Sequence, residues 1–227
     1  MRRALILATI ALSATACSDE KVASKDNFKK VIDAYIGDHP PCIAIPTSPD
    51  HPEGAPPAAF PRYVSAASTT SVFQQQARER ERAPFDALVD AGLFSVTDTS
   101  IKVRNSLFGN GTVDMPVRAY ELTPEGKKAV SEVGARAAIS AGQQQFCYGK
   151  PTVDEVTMFT EPGDVMGVTV SRVDYRYHLA DLPAWTTHAS MLDAFPQLRR
   201  DTASSIDAHA EVIKTGDGWV HERAFKR

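Results

Sequence analysis

The sequence predicts an α+β protein, with a helix-bearing N-terminal half and an antiparallel β-rich C-terminal subdomain. Three observations lead there. Phe28, Val31, Ile32, Tyr35 and Ile36 follow the i, i+3, i+4, i+7, i+8 spacing of an amphipathic helix. Residues 153–179 are instead rich in Val, Thr and Tyr and alternate in the manner of strands. Thr215-Gly216-Asp217-Gly218 separates two further strand-like runs, as a tight hairpin turn does.

Taken in order, residues 19–25 are polar and read as a tether. Asp26 or Asn27 is placed to cap the first helix, and Gly37-Asp38-His39-Pro40-Pro41 ends it. Cys42-Ile43-Ala44-Ile45 is short and apolar, hence a strand. Residues 46–61 hold six prolines and lack periodicity, so they form a loop, with 60–64 docking back on the body. Residues 71–91 are helical and interrupted at Pro84. Their stretch 74–82 is polar almost all round, a solvated face with charge pairs three and four residues apart. Phe85, Leu88, Val89 and Leu93 then turn an apolar stripe to a core, and Gly92 suits a helix C-cap.

Strand-like runs at 94–103 and 117–122 flank a turn at 105–115 that contains Gly109-Asn110-Gly111. Within it, Asn110-Gly111-Thr112 matches a glycosylation sequon but reads as a turn. Thr123 is a good N-cap, Pro124 suits the first helical position, and Glu125 favours the helix dipole. Residues 129–145 begin as helix and end in Gly142-Gln143-Gln144-Gln145, a linker. Beyond it the expected elements are strands at 153–160 and 165–179, a break at 182–185, a short helix over 187–195, a polar loop at 196–205, and a hairpin of 207–214 with 218–225.

Two resemblances bear on this reading. Phe85-x-x-Leu88-Val89-x-Ala91-Gly92-Leu93, the paired runs behind it, and Tyr120-Glu121-Leu122-Thr123-Pro124-Glu125-Gly126 together resemble winged-helix regulators of the MarR and PadR type. The resemblance covers roughly 26–134. It implies a winged-helix-like N-terminal half, in which residues 26–45 supply the first helix and strand. It does not carry DNA binding with it, because the recognition helix it designates is near neutral.

The second resemblance lies at the N-terminus. Arg2 and Arg3 precede an apolar run from Ala4 to Leu12, and Ser13-Ala14-Thr15-Ala16-Cys17-Ser18 follows. That is the build of a secretory signal peptide, and the run is shorter than the roughly 20 residues that cross a bilayer. Ala14-Thr15-Ala16-Cys17 resembles the lipobox of bacterial lipoproteins, with Ala14 where Leu is usual. This implies that Cys17 is acylated and anchors the protein. Ser18, rather than Asp, behind it implies the outer membrane, facing the periplasm. The alternative is an ordinary signal cut after Ala16, with Cys17 a bystander. The layout expected is thus a signal peptide (1–16), a lipidated tether (17–25), a winged-helix-like subdomain (26–142) and an antiparallel β-rich subdomain (143–227).

Charge and cysteines fit export. The chain carries net −3, and without Arg2 and Arg3 it holds 23 basic against 28 acidic residues. A mildly acidic protein is poorly suited to neutralising phosphates, so nucleic acid is not an expected partner. With Cys17 lipidated, Cys42 and Cys147 remain as a pair for a disulfide in an oxidising compartment; two free thiols are the alternative.

Candidate chemistry is sparse. There is no Gly-x-Ser-x-Gly elbow, phosphate loop, His-Glu-x-x-His or Cys-x-x-Cys. The histidines are His39, His51, His178, His188, His209 and His221. His178 and His188 straddle Trp185, and His209 and His221 fall on the two arms of the last hairpin, without an identifiable third ligand for a metal. Asp174, Asp181 and Asp193 read as strand-edge and capping residues, and Tyr175, Tyr177, Trp185 and Trp219 as sheet core. No cofactor, metal or catalytic residue is expected. The functional expectation is a membrane-anchored, non-catalytic binding role toward an envelope protein, as an envelope accessory or an immunity-type inhibitor. The alternative is a periplasmic hydrolase or carbohydrate-active enzyme using His and Asp residues of the C-terminal sheet. A cleft gathering His178, His188 and a carboxylate favours the enzyme; an exposed apolar or aromatic patch favours binding.

Overall fold

Ser24, rather than Asp26 or Asn27, caps the first helix, α1 (Lys25–Gly37): its hydroxyl accepts from the Asn27 N–H at 3.3 Å. The structure is a computed structural model that describes residues 20–52, 54–104, 111–132 and 144–226. The signal peptide, Cys17, Asn110 of the sequon, residues 105–110 of the expected turn and residues 133–143, with the first half of the expected linker, lie outside the described residues.

The elements that follow are β1 (Cys42–Ala44), β2 (Arg62–Ser65), α2 (Val72–Asp90), β3 (Phe94–Arg104), β4 (Thr112–Leu122), α3 (Pro124–Ala129), β5 (Val130–Glu132), β6 (Gln144–Cys147), β7 (Lys150–Phe159), β8 (Gly163–Val165), β9 (Val168–Ala180), α4 (Ala189–Ala194), α5 (Gln197–Asp201), β10 (Ile206–Thr215) and β11 (Gly218–His221). They make three antiparallel sheets: β1-β6-β5, β2-β4-β3, and β11-β10-β9-β7 with β8 extending β9. Among the described residues no helix is long and apolar enough to cross a membrane.

The fold class is therefore mainly β, and the expected α+β architecture with a winged-helix-like N-terminal half does not form. The apolar stripe of α1 is real, but it lies on the C-terminal sheet. Phe28 and Ile32 are fully buried there against Val153, Val156, Val173, Val212 and Trp219. The Phe28 ring meets Phe159 and Trp219 edge-on, each at 5.0 Å. Burial of that one ring is worth about 1.5–3 kcal/mol. Strand β1 likewise pairs with β6 and not with the wing hairpin. A single long helix, α2, thus stands where a winged helix needs a bundle.

Other departures have local causes. Helix α2 runs through Pro84 without a break. Proline leaves the carbonyl four residues back without its N–H, and Arg80 lies on the exposed half, where water can serve it. Residues 197–201, read as loop, form α5 because Leu198 buries completely in the larger core. Residues 62–65 pair with β4 as a strand. The helix after Thr123 ends at Ala129, and Val130 begins a strand.

The paired motifs behind the winged-helix resemblance do meet in space. Gly92 adopts φ +76° and ends α2. The next carbonyl, of Leu93, accepts from the Thr123 N–H at 3.0 Å and from its hydroxyl at 3.2 Å. A Cβ on Gly126 would lie 2.1 Å from that same oxygen, so only glycine fits.

Helix α1 also protects the sheet it covers. Along outer strand β7, Lys25 donates to the Thr157 carbonyl at 2.8 Å, Lys29 to the Val153 carbonyl, and the Val153 N–H to Asp33 Oδ1 at 2.7 Å. Lys25, Lys29 and Asp33 are four residues apart and so share one helix face, which meets the edge groups of Thr157 and Val153.

Candidate functional site

A concavity of about 650 Å³ lies between α1 and β11, a size typical of ligand clefts. Val31, Ala34, Tyr35, Trp219 and Val220 make its apolar wall; Lys30, Arg223 and Lys226 stand against Glu20, Asp38 and Asp217 around it. Tyr35 is held between two imidazoles, with centroids 4.2 Å from His39 and 3.9 Å from His221. His39 Nδ1 donates to the Tyr35 carbonyl at 2.6 Å. His221 Nδ1 accepts from the Arg223 N–H at 3.2 Å, which leaves the neutral ring's proton on Nε2.

The segment expected as a free tether packs here from Glu20 onward. Trp219 Nε1 donates to the Lys21 carbonyl at 3.2 Å, and Asn27 Nδ2 to the Val22 carbonyl at 2.9 Å. Gly218, at φ +136°, leaves room for the Glu20 backbone; a Cβ would come within 3.2 Å of its oxygen.

Burial lowers the pKa of His221 from its ordinary 6.5, with Arg223 and His39 adding in the same direction. The unfolded chain therefore takes this proton first as pH falls. Stability is full above about 6.5 and declines below it. The expected result is that acid titration of His221→Gln, followed by urea unfolding, loses that part of the slope. A variant whose slope equals that of the parent removes His221 from the account.

The residues weighed for chemistry are spread apart. His178 Nδ1 lies 2.7 Å from Asp154 on the sheet, whereas His188 Nδ1 lies 2.9 Å from Ser190 Oγ. His51 faces the Pro52 carbonyl. His209 lines a hollow of about 320 Å³ with Thr157, Asp174 and Asp207, and since β11 pairs only with residues 212–215 of β10, it does not face His221. Among the described residues no three His, Cys, Asp or Glu are placed to hold a metal. Asp174 and Asp193 sit in exposed ion pairs with Arg172 and Arg199, and Asp181 takes a turn at φ +54°. Tyr175, Trp185 and Trp219 are buried. Cys42 and Cys147 are opposite each other on β1 and β6 and form a disulfide.

Two networks escaped sequence reasoning because their members are far apart in the chain. Tyr120 donates to Asp86 Oδ1 at 2.7 Å, with Arg82 and Arg118 beside the same carboxylate at 3.0 and 3.3 Å. Tyr148 donates to Asp201 Oδ2 at 2.7 Å, and Arg200 closes on the other oxygen at 2.9 Å. Burial, reinforced by the carboxylate, raises the pKa of both tyrosines.

Val72, Phe73 and Met166, the most exposed large apolar side chains among the described residues, are not in the lining of the cleft. Val72 and Phe73, 69% and 81% exposed, open α2, and Met166, 90% exposed, caps the β8–β9 turn. Comparison of the chain with family models, with curated proteins and with solved structures found no match.

Proposed function

We propose that the chain is an exported protein anchored through lipid on Cys17, held at the outer membrane facing the periplasm, and that it acts by binding an envelope protein rather than by catalysis. The observation that carries the binding role is Phe73, an aromatic ring left in water beside Val72 on the outer turns of a helix whose inner turns are in the core. Large apolar groups paired on a polar surface mark contact sites. Export is supported by the Cys42–Cys147 disulfide, a bond that persists in oxidising compartments. The packing of residues 20–22 on β11 leaves a short lead to Cys17, spanning at most about 10 Å. The body would then ride close to the membrane.

The test uses the full chain with its own N-terminus in a Gram-negative host. The expected result is an outer-membrane protein whose mature mass begins at an acylated Cys17, with Cys17→Ser released to the soluble periplasm. A photo-crosslinker at position 73 is expected to give a discrete adduct with one envelope protein, absent when the crosslinker replaces exposed Asp207 instead. A full-length, unacylated cytoplasmic chain overturns the anchor; equal crosslinking from both positions overturns the contact.

A further inference from the structure

The outer side of β3 is the longest uncovered sheet edge among the described residues. Two other edges are met by side chains. Side chains of α1 cap β7, and on β2 the Tyr63 N–H donates to Ser48 Oγ at 2.7 Å and the Ser65 N–H to Asp50 Oδ2 at 2.8 Å. Among the described residues no such contact reaches β3 between Val96 and Lys102.

Pro116 determines which groups face out. It has no N–H, and its carbonyl accepts from the Ala66 N–H at 2.9 Å, on the β2 side of β4. Ser100, its register partner, therefore cannot bond to β4 and turns its N–H and C=O away from the sheet. Alternation gives the same direction to Val96, Asp98 and Lys102, an unpaired ladder on a strand of 11 residues.

We propose that a second copy of this chain adds to that edge, β3 against β3, antiparallel about a two-fold axis at Ser100. Charge complementarity selects this occupant and this register. Charges on an edge strand usually repel a partner. Here an acid precedes a base by four residues, so a centre at Ser100 puts Asp98 opposite Lys102 of the second copy, and the reverse. Asp98 already faces Arg118 at 3.8 Å and Lys102 faces Asp114 at 3.1 Å. Across the joined sheets the row reads Arg118, Asp98, Lys102, Asp114, alternating in sign at every step, and the two-fold axis repeats it. The outward groups of 96, 98, 100 and 102 become hydrogen-bonded pairs in the same register. A shift of two residues toward the N-terminus sets Asp98 against Ser100 and loses the row.

The test weighs the full chain in mild detergent by sedimentation and native mass spectrometry. The expected parent is a dimer. Ser100→Pro removes one outward N–H and no β3–β4 bond, and is expected to give a monomer with an unchanged circular dichroism spectrum. Asp98→Lys is expected to weaken association by about tenfold or more, and Asp98→Lys with Lys102→Asp to restore it. Should Ser100→Pro unfold, the charge reversal and its rescue decide. A monomeric parent overturns the proposal, as does a dimer indifferent to Asp98→Lys. So does a bismaleimide at Ser100→Cys that captures another protein instead of a second copy, with the unsubstituted chain as control for Cys17.

Discussion

Replacing Cys42 and Cys147 by alanine together is expected to cost about 4–5 kcal/mol, comparable to the whole net stability of many domains. The magnitude comes from chain entropy: the bond joins residues 105 apart and removes that loop's freedom from the unfolded state. Its position makes the loss consequential. Strands β1 and β6 have three and four residues, too few to hold each other by ladder bonds alone. Yet they carry Ile43 and Phe146, both buried in the larger core. They also stand between the two units that must come together, since β1 follows α1 and β6 leads into β7 of the sheet that α1 covers. Urea unfolding with and without reductant checks this. The expected signature is a large drop in midpoint for the parent on reduction, and none for the double variant. Equal midpoints would mean that the strands hold without the bond.

The sequence made the local elements readable where a period or a turn residue decides them. The stripe from Phe28 to Ile36, the cap at Thr123 and the turn at Thr215–Gly218 stand as expected, and the long strand through Tyr175 and Tyr177 forms as Val168–Ala180, beginning three residues later because a turn at 166–167 splits off Val165. What a period cannot tell is the partner. The same Phe28 and Ile32 would serve a helical bundle or a sheet face, and only tertiary packing chose the sheet. Gly92 and Gly126 illustrate the limit well. The motif that suggested a winged helix has a physical reason, a helix end and a helix start sharing the Leu93 carbonyl. That joint fixes one corner and leaves the rest of the topology open. The candidate site was less legible. The sequence sets His221 beside His209 on the last hairpin and His39 in the end of the first helix; only the docking of α1 beside β11 brings His39 and His221 onto Tyr35.

Asp201→Ala is expected to be a strongly damaging polar substitution, at about 3 kcal/mol. The carboxylate is 4% exposed at the end of α5, with Tyr148 on one oxygen and Arg200 on the other. The three terms differ in size. Arg200 is 72% exposed, so its charge returns to water on release and contributes little. The Tyr148 hydroxyl has no such escape, because its side chain is packed in the core against Trp185 at 5.5 Å. Leaving that donor unpaired costs about 1–3 kcal/mol, and the small void adds to it. Asp201→Asn keeps an acceptor for the hydroxyl and should cost less than half as much. Tyr148→Phe removes the donor itself, so in its background Asp201→Ala should lose much of its effect. The same pair predicts the alkaline limb. A tyrosine whose pKa is raised on folding keeps its proton in the native state, so the stability it contributes is complete below about pH 10 and falls above it. Guanidinium unfolding of the single and double variants, at neutral pH and again above pH 10, measures both. Additive losses for Asp201 and Tyr148 would show that the two do not act through one bond.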